Sequence, residues 1–318
     1  MAKIIMYSLI IPVYKNEESL PDLLSLLNDL HSKLSHKLEL IFVVDVSPDN
    51  TYIYLKTHLS HCVFSSRLIL LSRNFGSFSA IRCGLKAAQG EYFAVMAADL
   101  QEPPELILMF FQTLEKNEVD ITFGLREKRA DPVLSRFFSG LFWKCYRQFI
   151  QRDIPPGGVD MFGCNRIFRD HLLELNESNS SLIGLLFWLG FRRSFIPYCR
   201  QLRKHGKSAW TFGGKLRYLS DSLFSFSDLP IRILIFSGIL SILFSFIFGL
   251  FLIIAKISHW IGLPGYTTTI LIILFFTGLN ALGLGIIGSY VWRAFENSKR
   301  RPPTVIMKQE NFEHGDSV

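Results

Sequence analysis

Residues 96–105 read MAADLQEPPE, and the parsing of this stretch decides the fold. Just before it, Tyr92–Ala97 is a short apolar run with β-branched and aromatic side chains, the pattern of a buried strand. The run ends on an acid, Asp99, with Gln101 two residues on. Pro103 and Pro104 then break the extended chain, and Glu105 opens a helical pattern, as Pro near a first helical turn allows. An acid at the carboxyl end of an α/β strand lies in the crevice where such sheets bind ligands. Asp99 and Gln101 are spaced to present oxygen to a hard cation such as Mg²⁺ or Mn²⁺. An acid that merely starts a helix gives the same ten residues, so the choice rests on the rest of the chain.

Working outward, apolar runs alternate with helical patterns. Tyr7–Tyr14 is a strand followed by Lys15-Asn16-Glu17-Glu18 and a helix marked by Leu20, Leu23, Leu24, Leu27 and Leu30. Leu38–Val44 ends at Asp45-Val46-Ser47-Pro48-Asp49. Arg67–Ser72 ends at Arg73-Asn74-Phe75-Gly76, and Asp120–Leu125 leads to Arg126. This alternation predicts an α/β fold with a doubly wound, mostly parallel sheet. Each polar cluster follows a strand, so topology gathers them on one edge of the sheet. The N-terminal apolar run meets Pro12 and charges without a small-residue cleavage site, and reads as strand rather than signal peptide.

Composition narrows the function classes. The five cysteines are odd in number and form no CxxC pair, so neither a disulfide framework nor a zinc site is expected. The chain is 49% hydrophobic with 29 Phe, and the excess concentrates after residue 230. Ile233–Ala255 and Thr269–Trp292 lack formal charge and exceed the ~20 apolar residues that span a bilayer. Net charge is +7, and between Phe191 and Ser220 lie Arg192, Arg193, Arg200, Arg203, Lys204, Lys207, Lys215 and Arg217 without one acid. No nucleic-acid motif accompanies this stretch, so no nucleic-acid partner is expected. Ahead of membrane spans it suits anionic headgroups or a phosphorylated acceptor.

Basic residues flank both spans, which predicts an integral membrane protein with both termini cytosolic and Lys256–Thr268 outside. Ser135–Gln151 is an amphipathic, basic-aromatic helix suited to core packing or to a membrane surface, and Ser181–Gly190 a short buried or interfacial one. Ser237, Ser241, Ser245 and Gly249, then Thr277, Ala281, Gly285 and Ser289, make smooth ridges that offer a packing face to a second copy. The polar tail after Pro302 is expected to be disordered.

The ordered set IPVYKNEE, VDVSPDN, LSRNFG, AADLQEPPE, GLR, the Asp160 loop, the basic stretch and two spans resembles the family 2, GT-A-fold polyprenyl-phosphate glycosyltransferases. That likeness covers about residues 5 to 303. It implies inverting transfer of a sugar from a UDP- or GDP-linked donor to a polyprenyl phosphate at the cytosolic membrane face. By this resemblance Pro12, Tyr14, Glu17 and Asp45 bind the donor, and Asp99 and Gln101 hold the metal. Arg126, Arg200, Arg203, Lys207 and Ser208 meet phosphate, and Asp160 joins Asp99 as a catalytic acid. The implied organisation is a GT-A domain over 1–190, a basic juxtamembrane segment over 191–230, a two-helix hairpin over 231–293 and a tail over 294–318. A lipid-linked oligosaccharide acceptor and a non-catalytic membrane scaffold are the competing readings.

Two turns depart from the family pattern. The family usually has paired acids at Val44-Asp45 and glycine at Val46, and Asp-x-Asp where this chain has Ala97-Ala98-Asp99. With one acid fewer at the metal turn, a divalent metal is expected to be weakly held without donor.

Overall fold

A computed structural model describes residues 6–35, 37–126, 147–148, 151, 153–155, 158–159, 161–177, 180–201, 220–258 and 265–313. The strands are β1 (Tyr7–Val13), β2 (Leu38–Val44), β3 (Ser65–Leu71), β4 (Tyr92–Val95), β5 (Ile121–Arg126), β6 (Phe162–Asn165), β7 (Arg193–Tyr198) and β8 (Ile306–Phe312). They form one sheet in the order β7-β5-β6-β4-β1-β2-β3-β8. The centre, β4-β1-β2-β3, is parallel; β6 runs antiparallel between β4 and β5, and β7 is parallel to β5.

The central strands are mostly apolar because both faces are covered, with Ser8, Glu39 and Ser66 as buried polar exceptions. Leu9 and Ile11 of β1 and Leu40, Phe42 and Val44 of β2 face a core shared with α1 (Leu20–Lys33), α2 (Thr51–Leu59) and α4 (Pro104–Glu115). Ile10, Ile41, Val43 and Ile69 face the other core, built with α3 (Ser77–Ala87), α5 (Arg166–Glu174) and α6 (Leu182–Trp188). The period-two alternation of a strand thus feeds two cores at once. Pro104 stands at the first position of α4, where its missing N–H costs nothing.

Away from the sheet stand two long helices, α7 (Leu229–Ile257) and α8 (Tyr266–Ser298). Within them Leu229–Phe251 and Phe275–Ser298 are long and apolar enough to cross a membrane. Their apolar side chains point outward, with Phe236 and Phe246 69% and 73% exposed, as a lipid-facing pair requires and a soluble core helix does not. Residues 220–228 fasten the pair to the sheet domain. The Phe226 ring lies against Gly184 of α6, Asp221 accepts from Arg293 at 2.8 Å, and Tyr290 reaches the Ser227 carbonyl. Gly283 packs close to Leu234 of α7, whereas Gly285 of the small-residue ridge has open space around it.

One expectation is corrected. The tail after Pro302 is not wholly disordered: residues 306–312 form β8, antiparallel to β3. An open β-edge supplies ladder partners to a polar segment with little apolar area of its own, so composition understated its order. The sheet therefore draws two strands, β7 and β8, from beyond residue 190. The 135–151 helix lies almost entirely outside the described residues.

Candidate active site

The parallel strands end on one edge, and that edge gathers the loops after β1, β2, β3, β4, β5 and β7. Three non-glycine residues there have left-handed backbone: Lys15 (φ 56°), Val46 (φ 47°) and Leu100 (φ 57°), one in each loop after β1, β2 and β4. Such conformations are costly for residues with a Cβ, most of all for β-branched Val46. Where the family usually has glycine, this chain bears the strain. Strain of this kind persists where surrounding bonds over-determine it.

The Lys15 N–H donates to Ser47 Oγ at 2.7 Å. Glu17 accepts from the Asn50 backbone N–H at 2.9 Å and from its amide at 3.2 Å, tying the first loop to the second. Asp49 accepts from Ser47 and Thr51; burial pushes its carboxyl up, but those hydrogen bonds outweigh it and hold it below the ordinary range. Asp45 is buried, and its two oxygens accept the Phe75 and Gly76 N–H groups at 2.7 and 2.8 Å. Burial raises its pKa against those two bonds and against Arg73. Gly76, at φ 90°, supplies the turn that aims both N–H groups at one carboxylate. Pro12 and Tyr14, at the end of β1, are half-buried beside this wall.

The acid turn is joined to the far side of the edge. Gln101 Oε1 accepts from Arg200 Nη2 at 2.6 Å, its backbone carbonyl accepts from Gln201 N at 2.8 Å, and its amide donates to the Gln201 carbonyl at 3.3 Å. Arg200 also lies 3.8 Å from the buried carboxylate of Glu102. Arg126 is in register with Tyr198, two residues before Arg200, so both arginines reach the same end of the sheet. Gly124 in the GLR motif is tightly packed: a Cβ would meet the Tyr198 ring at 3.1 Å and Leu106 at 3.2 Å, so those side chains would have to give by a few tenths of an ångström.

The structure thus brings together Pro12, Tyr14, Glu17, Asp45, Asp99, Gln101, Arg126 and Arg200. Asp160, Arg203, Lys207 and Ser208 lie outside the described residues; Met161, next to Asp160, accepts from the Gly124 N–H at 3.0 Å. Sequence reading passed over Asp49 and Glu102. Asp49 sits in the quoted VDVSPDN motif and was the findable one, whereas the partner of Glu102 is far along the chain. As for a metal, no three His, Cys, Asp or Glu side chains cluster among the described residues. Asp99 and Gln101 offer one carboxylate and one amide oxygen, hard donors of low charge, and the amide oxygen is already bonded to Arg200. That set fits a Mg²⁺-type ion held chiefly by other ligands.

An α/β sheet with its polar loops on one edge carries its ligand crevice at that edge, outside the carboxyl ends of the strands. The family model for glycosyl transferase family 2 matches residues 8–175, and the chain belongs to that family: it is a glycosyltransferase with a GT-A-like mixed sheet. It is similar to the putative glycosyltransferase CsbB of Bacillus subtilis, 31% identical over 97% of this chain and 93% of that protein. It is also similar to the bactoprenol glucosyl transferase of Shigella phage SfV, 27% identical over 95% of this chain and 98% of that one. Among solved structures, glucosyl-3-phosphoglycerate synthase from Mycobacterium tuberculosis in complex with Mn²⁺, uridine diphosphate and glucosyl-3-phosphoglycerate is similar at 16% identity. That match covers 69% of this chain and 77% of the synthase, with a TM-score of 0.44.

Proposed function

We propose that this glycosyltransferase moves a sugar from a nucleoside-diphosphate donor to a polyprenyl phosphate, with inversion, at the cytosolic face of a bacterial inner membrane. The observation that carries the reading is the contact of Arg200 with Gln101, which sets a fixed cation against the acid turn. The name of the Shigella phage relative supports the polyprenyl acceptor.

In this reading Pro12, Tyr14, Glu17 and Asp45 hold the nucleoside, and the diphosphate lies against the Asp99-Gln101 turn and the Arg200 guanidinium bonded to it. A divalent metal on Asp99 and Gln101 would neutralise diphosphate charge as it leaves. Arg126, Arg203, Lys207 and Ser208 bind the acceptor phosphate, and Asp160 orients the reacting groups. A phosphomonoester has its second pKa near ~6, so the acceptor is largely dianionic at neutral pH and needs little help from a base. Its oxygen attacks the anomeric carbon opposite the diphosphate. The new C–O bond forms as the bond to the diphosphate breaks, and the nucleoside diphosphate takes the electron pair. Arginines placed where that charge develops stabilise it best.

The proposed organisation keeps a cytosolic GT-A domain, a basic juxtamembrane segment and a hairpin of two spans. Because β8 returns to the sheet after α8, the chain before α7 and after α8 is on the sheet's side. A reporter placed within Lys256–Thr268 should therefore report the outer face, and a cytosolic signal there would overturn the hairpin.

Purified chain, radiolabelled UDP- and GDP-sugars, Mg²⁺ or Mn²⁺ and polyprenyl phosphate test the reaction. The expected product is a charged, solvent-extractable lipid bearing one sugar. Donor binding without any such product would reject it in favour of an oligosaccharide acceptor or a scaffold.

A further inference from the structure

The strand that closes the sheet meets the elements that flank the Asp45 loop and the 73–76 turn: the end of β3, α2 and α3. Val305, just before β8, accepts from the Ser72 N–H at 2.9 Å. Ser72 directly precedes Arg73-Asn74-Phe75-Gly76, the turn whose N–H groups hold Asp45. Glu310 on β8 accepts from Tyr52 Oη at 2.8 Å and from Lys56 Nζ at 2.7 Å, both on α2. That helix follows directly on the Asp45–Asn50 loop, which carries strained Val46. The Thr304 side chain stands beside the Cys83 thiol on α3, the helix that begins after Gly76. Between these anchors β8 pairs with β3 from Ser66 to Leu71, and its register shifts at Leu70/Leu71, beside the turn.

We propose that β8 is a positioning device for the donor: by fixing Ser72, α2 and α3 together, it holds the Asp45 loop and the 73–76 turn in their binding geometry. The proposal rests on the donor reading above and adds a control on it from the chain that leaves the second long helix. Without β8, the edge of β3 loses its ladder bonds next to the turn, and the turn opens at lower free energy. Donor binding must then re-order a strained loop, and affinity falls by the share of the competent state. Arg126, read above as meeting the acceptor phosphate, stands across the sheet on β5, beyond β4 and β6, and is not braced by β8.

The test uses the full chain with Lys308→Pro/Gln309→Pro. Adjacent prolines remove a ladder donor whichever of the two faces β3. Binding of UDP and of GDP is measured by thermal shift or calorimetry, alongside steady-state kinetics. The nucleotide that the parent binds should show a dissociation constant about tenfold higher, with donor KM rising equally. At saturating donor, kcat and acceptor KM should stay within about twofold. Glu310→Gln keeps the ladder and loosens only α2; it should raise the same constant about threefold, and it decides the matter if the proline variant does not fold. Unchanged nucleotide binding in these variants, or a fall in kcat without a rise in donor KM, would overturn the proposal. A parent chain that binds neither nucleotide would overturn the donor reading, and the proposal with it.

Discussion

Glu39 and Asp45 stand at opposite ends of β2, and both are buried to 3% exposure. Each accepts two successive backbone N–H groups: Gln89 and Gly90 on Glu39, Phe75 and Gly76 on Asp45. Glu39 also accepts from the Ser8 hydroxyl at 2.6 Å and has Arg67 at 4.0 Å. Around it the backbone is regular strand. Around Asp45 the backbone is strained at Val46 and turns sharply at Gly76. The same local bonding serves cohesion at one end and, we propose, recognition at the other. What separates the two is the direction of the strands, whose carboxyl ends leave loops free to shape a crevice.

The largest expected effect lies at the acid turn that shares the Asp45 edge. Asp99→Ala removes its only carboxylate apart from Glu102, which Arg200 occupies, and should lower kcat by about 10²–10³, read by lipid-product formation. Full activity in saturating donor would break the assignment of function to this edge.

Next come the two acids themselves. Glu39→Ala leaves the Ser8 hydroxyl and the Gln89 N–H without their acceptor, while the Gly90 N–H keeps Ser8 Oγ, and should cost about 1–3 kcal/mol of stability, seen as a lower Tm, with donor KM unchanged in the folded fraction. Asp45→Ala frees N–H groups that solvent can reach, so about 1 kcal/mol is expected, with donor affinity down about tenfold. Identical profiles for the two variants would erase the distinction between the ends of β2.

Val46→Gly sharpens the comparison further. It removes the left-handed β-branched residue, and the entropy of glycine offsets part of the gain, leaving about 0.5–1 kcal/mol and a Tm about 1–3 °C higher. A lower Tm would show that the Val46 side chain contributes more than its backbone costs.

The smallest effect is in pH. Asp49 has a lowered pKa, so it contributes stability that is present above the ordinary carboxyl value of 3.8 and lost as pH falls through its folded value. Asp45 is raised and contributes in the opposite sense, with stability present below 3.8 and lost as pH rises through its folded value. Tm measured from pH 2.5 to 6, in ~0.5 steps, should show a flatter acid limb in Asp49→Asn than in the parent. An unaltered limb would remove Asp49 from the bonds that hold the loop.

The strands and helices of the sheet centre were legible because their apolar periods are unambiguous, as in Leu38–Val44, buried at every position. The edge on which Asp45, Asp99 and Arg126 gather followed from strand direction alone. The bond between Arg200 and Gln101 did not, because no local pattern encodes a contact between residues so far apart in the chain. Nor could sequence alone show that Val46 would keep a glycine-like backbone instead of remodelling its loop. The tail was misread for a different reason. Gln309 and Lys308 have no core to enter, and their order comes from the Leu70 and Ile69 backbone they pair with.

The return of residues 306–312 to β3 also fixes an order of events during synthesis. A chain that leaves the ribosome amino end first exposes the whole parallel centre of the sheet long before its last strand exists. Between those moments α7 and α8 must emerge, while β3 presents an unpaired edge to the cell. Open edges of that kind are templates for aggregation, and larger proteins are most exposed to it while incomplete. Synthesis of both long helices is therefore a precondition for finishing the sheet, and a chain that stops within them keeps β3 as an open edge.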